Sequence, residues 1–186
     1  MSAEISLWRL RFAHPQDIPR IIELMRHYNM HHIPSPEMGP LNYRYFIVAE
    51  LRGTLLGAAG YTFLPDQTGK TTLMAVHPAC TQTGLGRTLQ FQRMQILRSL
   101  GCKKVITNAD RPETIAWYKR HFGYREIGKL AKLHAFGRED IHEWTTLQAD
   151  LTDIAVPMLG GNNRLIGMMM DRAAAGNGRR AQGHRD

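Results

Sequence analysis

Cysteine is scarce: two residues, Cys80 and Cys102, stand in a chain of 186. They form no metal-ligand spacing and cannot build a disulfide framework. A disulfide-stapled secreted scaffold is thereby excluded, and a reducing, cytoplasmic compartment is expected. No run of ~18 apolar residues occurs, so no transmembrane helix is expected. Met1-Ser2-Ala3-Glu4 opens no basic region followed by an apolar stretch, so no signal peptide is expected either. Acidic residues are in deficit. Sixteen Asp and Glu face 24 Lys and Arg, a net charge of +8. That surplus favours anionic partners, whether a nucleotide, RNA or an acidic substrate, without choosing among them. What is present, 43% hydrophobic and 22% charged residues, suits one globular domain with its own core.

The chain is organised around Val76 to Leu100, and above all its opening turn, Val76-His77-Pro78-Ala79-Cys80-Thr81-Gln82-Thr83-Gly84-Leu85-Gly86-Arg87. A β-branched strand end meets a proline, then a small polar loop with glycines, then a long helical pattern. A helix that begins this way exposes unpaired N–H groups and the positive end of its dipole. It is a ready site for a phosphate or pyrophosphate.

The remaining elements follow from periodicity and punctuation. Leu7 to Phe12 alternates as a strand, and Pro15 to Tyr28 has Ile18, Ile21, Ile22 and Met25 at helical spacing. Asn29 to Tyr43, with Pro34, Pro36, Gly39 and Pro40, reads as a loop. Its histidines, His31 and His32, with nearby His27, lack partner ligands at a metal spacing, so solvated side chains and no metal are expected. Tyr45 to Leu51 and Thr54 to Thr62 form a hairpin across Arg52-Gly53, and Gly57 and Gly60 signal a bulge or a close backbone approach. Pro65 to Gly69 reads as a turn and Thr71 to Val76 as the next strand. Gly69-Lys70-Thr71 mimics the end of a P-loop, but Leu64 stands where that motif needs glycine, and a strand pattern follows instead of a helix. On the helix from Leu85 to Leu100, Leu85, Leu89, Ile96 and Leu100 share one face with Gln92, which needs a polar partner or a wet groove. Lys103 to Thr107 is a strand ended by Asn108. Thr114 to Phe122 is a helix stopped by Gly123, and Arg125 to Leu133 and Ile141 to Asp150 are the last strands. Residues 1–151 form the expected domain. Residues 152–175 read as a linker with a short apolar helix over Leu165 to Ala175, and 176–186 as a disordered basic tail.

The order strand, helix, three strands, helix, strand, helix, two strands resembles the GCN5-related N-acetyltransferase (GNAT) superfamily. Two motifs carry the resemblance. Val76-His77-Pro78 with Gly84-Leu85-Gly86-Arg87 looks like that family's acetyl-CoA pyrophosphate loop. Asn108 at a strand end, followed by Ala116-Trp117-Tyr118-Lys119-Arg120-His121-Phe122-Gly123-Tyr124, looks like its second signature. The resemblance covers about Leu7 to Leu151 and implies an α/β (α+β) fold: a mixed, central, splayed sheet of about seven strands with helices on both faces. Thr81 stands where the family usually has Gln or Arg, and Gln82 where it often has glycine. Thr72 is the nearest match to a glutamate that many members carry on the strand before the loop.

The resemblance implies roles for named residues. Acetyl-CoA is the expected cosubstrate, its pyrophosphate held by Gln82, Thr83, Gly84, Leu85, Gly86 and Arg87, with Arg87 adding a charged contact. Met74, Ala75 and Val76 would offer backbone groups to the pantetheine arm, the N–H near Met74 polarising the acetyl oxygen. Asn108 would hydrogen-bond the pantetheine or a nearby water. Tyr118 would be the general acid that protonates the departing thiolate. The general base stays open among His31, His32, Glu37, His134 and water. The leading expectation is transfer of acetyl to a primary amine of a small molecule or amino acid, by direct attack in a ternary complex. Acetylation of a protein or aminoacyl-tRNA amine, and a non-catalytic acetyl-CoA sensor, are the alternatives. Nucleic acid is admitted but not favoured, no membrane is expected, and the Leu165 to Ala175 stretch allows a homodimer.

Overall fold

The computed structural model of the protein describes residues 8–134 and 136–154. The chain divides into two units, Met1–Ile154 and Ala155–Asp186. The expected apolar helix and basic tail, and nearly all of the expected linker, lie outside the described residues. The first unit is a seven-stranded sheet in the order β1-β2-β3-β4-β5-β7-β6. Its strands are β1 (Arg9–Phe12), β2 (Phe46–Leu51), β3 (Thr54–Leu64), β4 (Thr68–Val76), β5 (Lys104–Ala109), β6 (Arg125–Ala131) and β7 (Glu143–Asp150). Among the described residues three α-helices accompany them: α1 (Ile18–Met25), α2 (Leu85–Ser99) and α3 (Pro112–Phe122). No helix among the described residues is long and apolar enough to cross a membrane.

Every neighbouring pair of strands is antiparallel except β4 and β5, which run parallel. That pair is registered only from Thr68–Lys70 to Lys104–Ile106. Beyond Lys70 the two strands separate, and β4 from Thr71 to Val76 has β3 on one side and a gap on the other. This is the splay that the resemblance implies.

A second irregularity lies in β4. Ala59 pairs with Met74 but Tyr61 pairs with Thr71, so Gly60 of β3 faces two residues, Thr72 and Leu73. Such a bulge reverses which face the following side chains take. Before it, Gly69 faces α2, where an added Cβ would sit 2.6 Å from Leu97. After it, Leu73 and Ala75 face α1 and join Ile21, Leu24, Met25, Phe46, Val48 and Ala58 in one core cluster. On β3, Gly57 faces α2, with a built Cβ 2.8 Å from Leu89, while its neighbour Ala58 joins the α1 core. Helices therefore cover both faces. Gly57 is a close approach, and Gly60, where a Cβ would fall on Thr72 and Phe46, marks the bulge.

Beyond small shifts of strand and helix ends, two expectations need correction. The turn read over Pro65 to Gly69 is confined to Pro65–Gln67, with Asp66 and Gln67 both at positive φ. Thr68 and Gly69 already belong to β4, because with Lys70 they supply its register with β5. The buried polar residues of α2 are Gln90 and Arg93, both fully buried, whereas Gln92 is only partly so. Leu85, Leu89 and Ile96 are buried as expected, and Arg93 joins them because it continues the Leu85, Leu89, Leu97 ladder at spacings of four.

Strand β1 is tied to the turn before α1 by charge. Asp17, 1% exposed, accepts from Arg11 at 2.6 and 3.0 Å, from the His14 N–H at 2.8 Å and from Arg20 at 3.2 Å. Arg11 also pairs with Glu50 of β2. The hydrogen bond from Arg11 first, with the His14 N–H and the nearby charges of Arg11 and Arg20, holds the Asp17 carboxyl below its ordinary range despite burial.

Candidate active site

A cleft of about 930 Å³ enters the gap between β4 and β5 and reaches the start of α2. The turn at its mouth is built from local bonds. His77 accepts the Ala79 N–H on its ring at 3.3 Å, and a single helical turn over Pro78–Cys80 follows. Thr83 Oγ1 donates to the Cys80 carbonyl at 2.7 Å. Gln82 and Gly84 both take left-handed backbone conformations, φ 63° and 86°. The first backbone bond of α2 runs from the Thr88 N–H to the Gly84 carbonyl at 3.0 Å. The N–H groups of Leu85, Gly86 and Arg87 thus have no carbonyl of their own helix to reach. Thr81 to Gly84 and Arg87 are exposed, with nothing within 4 Å of a Cβ built on Gly84. The Leu85 N–H has Thr83 Oγ1 at 3.5 Å, whereas an anion can approach those of Gly86 and Arg87 without displacing a side chain.

Inside the gap, alternation along β4 decides which backbone groups are on offer. The His77 N–H bonds the Leu56 carbonyl at 2.7 Å. With Gly57 opposite Val76 and Ala59 opposite Met74, the antiparallel pattern turns the Ala75 N–H and C=O toward β3. Those of Met74 and Val76 point into the gap. Ala75 lines the cleft, but its backbone serves β3 and its methyl the core, so it offers no group to the gap. Tyr28 caps one of the groups that remain, its hydroxyl donating to the Val76 carbonyl at 2.5 Å. Met74 keeps both of its backbone groups toward the gap. Across it, Asn108 Oδ1 accepts from Thr146 Oγ1 on β7 at 3.0 Å.

On the α2 side, Tyr118 of α3 lines the cleft and is 5% exposed. Its hydroxyl lies 3.4 Å from Nη2 of Arg93. That guanidinium also donates to the carbonyls of Gly60, Thr72 and Leu73 at 2.9, 3.3 and 3.4 Å, the carbonyls freed by the β4 bulge. Gln90 accepts from Arg93 and donates to Tyr124 Oη at 3.0 Å. Burial pushes the Tyr124 hydroxyl well above its ordinary range.

On the α1 side, Met30, Met38, Phe136 and Trp144 line the cleft, together with Glu37 and Asp110. Both carboxylates are engaged. Glu37 accepts from the Leu133 and His134 N–H groups and from Trp144 Nε1, tying the Asn29–Tyr43 loop to the segment after β6. Asp110 accepts from Lys132 at 2.7 Å and from the Arg138 N–H at 2.8 Å. His31, His32 and His134 gather as tilted rings, 4.0 and 5.5 Å between successive centroids. His27 and His32 are exposed, whereas His31 and His134 are half-buried with their Nδ1 atoms out of solvent. Among the described residues no three His, Cys, Asp or Glu side chains gather to hold a metal ion.

Residues 15–124 match the model of the acetyltransferase (GNAT) family. The chain belongs to that family. Among curated proteins none matches the GNAT chain significantly. Solved structures share its fold at low identity. N-acetylglutamate synthase from Neisseria gonorrhoeae, complexed with coenzyme A and N-acetyl-glutamate, superposes with TM-score 0.63 at 21% identity; the match covers 80% of this chain and 36% of that longer one. The ribosomal-protein-S18-alanine N-acetyltransferase from Escherichia coli gives 0.61 at 16% identity, over 83% and 97%. A phosphinothricin acetyltransferase from Sinorhizobium meliloti in complex with AcCoA gives 0.60 at 18% identity, over 84% and 96%.

In this GNAT domain one cleft is lined by Met74, Ala75, Val76, Gln82, Gly84, Gly86, Arg87, Asn108 and Tyr118. Thr83 braces the loop from within, and Leu85 is wholly buried, so only its backbone can serve a ligand. Sequence reasoning missed Arg93, Gln90, Tyr124 and the Asp110–Lys132 pair. The spacing of Leu89, Arg93 and Leu97 was a signal for the first of them.

Proposed function

We propose that the protein is an acetyl-CoA-dependent N-acetyltransferase whose acceptor is a primary amine of a small molecule or amino acid. One observation carries the reading: an exposed helix N-terminus, a strand edge with free backbone groups and a buried tyrosine line the same cleft. The fit to CoA rests on Gly84, whose φ of 86° sets up the turn, and on three helix N–H groups left without an intrahelical carbonyl. Bound acetyl-CoA supplies the acetyl group and a thiol leaving group.

The residues divide the work. The N–H groups of Leu85, Gly86 and Arg87 and the loop before them hold the pyrophosphate, with the Arg87 guanidinium beside them. Met74 offers its backbone to the arm, and its N–H polarises the acetyl oxygen, an effect of about 3 kcal/mol for one well-placed donor. Asn108 borders the acetyl end. Tyr118 gives its proton to the sulfur. Thr72 sits in the bulge with its carbonyl held by Arg93 and has no carboxylate to offer, so the amine proton leaves through water. The two free thiols, Cys80 and Cys102, suit the reducing cytoplasm.

A protein or aminoacyl-tRNA amine is the second reading, favoured by the net charge of +8. A thiol-release screen of amines with acetyl-CoA tests the proposal. Turnover with a free amine supports it. Turnover only with a peptide terminus or charged tRNA transfers the case to the second reading, and binding without turnover on any amine leaves a sensor.

A further inference from the structure

Arg93 carries a buried charge with no countercharge. It is fully buried on α2, and among the described residues no carboxylate lies within 4.0 Å of it. Its partners are three backbone carbonyls, Gln90, the Met74 sulfur at 3.5 Å and the Tyr118 hydroxyl. Tyr124, the other titratable group in this network, is kept neutral by its burial. Desolvating a guanidinium without an anion is costly. The bulge carbonyls do not require it, because a neutral amide donor would satisfy them at less cost. A fixed cation here is useful where negative charge appears only transiently, and the tyrosine whose hydroxyl lies 3.4 Å away lines the cleft.

Resting on the proposed acetyl transfer, we infer that Arg93 is a positioning residue that acts through Tyr118, stabilising the negative charge at the Tyr118–sulfur contact as the thiol departs. The step balances as follows. The amine nitrogen bonds to the acetyl carbon while the carbon–sulfur bond breaks and its electron pair goes to sulfur. The Tyr118 hydroxyl proton passes to sulfur. The phenolate, held beside the guanidinium, regains a proton from water, and the surplus amine proton leaves to water. The same guanidinium clasps the Thr72 and Leu73 carbonyls and so fixes the backbone that turns Met74 into the gap. One side chain thereby organises both the polarising and the proton-donating sides of the site, in the manner of preorganised electrostatics.

A double-mutant cycle with a binding readout tests this. Arg93→Met and Tyr118→Phe each lower kcat, Arg93→Met by about 10- to 100-fold, a share of what general acid catalysis supplies. Because Arg93 acts in part through Tyr118, Arg93→Met slows the Tyr118→Phe protein less than it slows the wild type; losses that multiply in full show independent roles and overturn the inference. A Tyr118→Phe protein at full rate overturns the Tyr118 assignment itself, whereas absence of any turnover in the wild type overturns the proposed function. The second readout needs no catalysis. CoA and desulfo-CoA are titrated calorimetrically between about pH 7 and 9, across the ordinary thiol ionisation near 8.5. The affinity ratio favouring CoA rises severalfold in the wild type and stays flat in Arg93→Met; equal pH trends contradict the role. If Arg93→Met does not fold, Arg93→Lys, which keeps the charge and loses the fork, serves both experiments. It keeps most of the pH trend while kcat falls, and a flat trend in Arg93→Lys overturns the electrostatic role.

Discussion

Glycines at the start of α2 separate two kinds of constraint that look alike in a sequence. Gly84 has open space around it but a φ of 86°, so any other residue there strains the turn. Gly86 is helical, and a Cβ built on it meets only a Val76 methyl at an ordinary 3.6 Å. Gly86→Ala should therefore fold at least as stably as the parent, with up to ~1 kcal/mol gained from helix propensity. A fall in CoA affinity with an unchanged or raised melting midpoint would show that Gly86 serves ligand approach. Unchanged affinity would show that it does not. Tyr118 makes a matching case. It is buried enough for a core side chain, yet its hydroxyl faces Arg93 at the cleft. Tyr118→Phe keeps the ring packing against Tyr124, so turnover should fall by about 10²-fold or more, the scale of a lost general acid, with cofactor affinity nearly intact. Equal rates in a thiol-release assay would reduce Tyr118 to packing.

At the scale of elements, the site exists because two strands part and one strand bulges. The parting leaves Met74 and Val76 with backbone groups that no strand takes, and the bulge turns Leu73 and Ala75 to the α1 core while freeing carbonyls for Arg93. Much of this scaffold was legible in sequence. Alternation gave the strands, Arg52-Gly53 gave the hairpin, and the Gly84-Leu85-Gly86 turn gave the helix start, because each depends on local chemistry. The bulge was legible only as an odd glycine at position 60. Arg93 was not read at all, because a charged residue at helical spacing is normally solvated and its partners come from β3, β4 and α3, far apart in the chain. The Asp17 cluster shows the same long-range dependence, since Arg11 of β1 joins it to Glu50 of β2. Asp17→Asn leaves Arg11 partly unpaired and should cost about 2–3 kcal/mol in denaturant unfolding at neutral pH, near the low end for a broken buried pair because Arg11 keeps some exposure. The pH dependence has a definite sign. The folded Asp17 carboxyl titrates below its unfolded value, so its stabilisation is present above the ordinary aspartate range and is lost as pH falls through the folded value. The gap between parent and Asp17→Asn should accordingly shrink toward acid pH; a constant gap would refute the electrostatic origin.

For the molecule as a whole, one cleft joins the exposed start of α2 to a lined chamber on the α1 face. The +8 charge favours an anionic cosubstrate but does not choose the acceptor; Met30, Met38 and Phe136 line that end of the cleft. The central claim is that the Gly84 turn grips the cosubstrate. Calorimetric titration of acetyl-CoA into the full chain and into its Gly84→Glu variant, with the fold of both checked by circular dichroism, tests it most directly. The account predicts saturable binding to the parent and none to the variant, whose side chain brings strain, bulk and negative charge to the helix end. Equal affinity in a folded Gly84→Glu protein would contradict it.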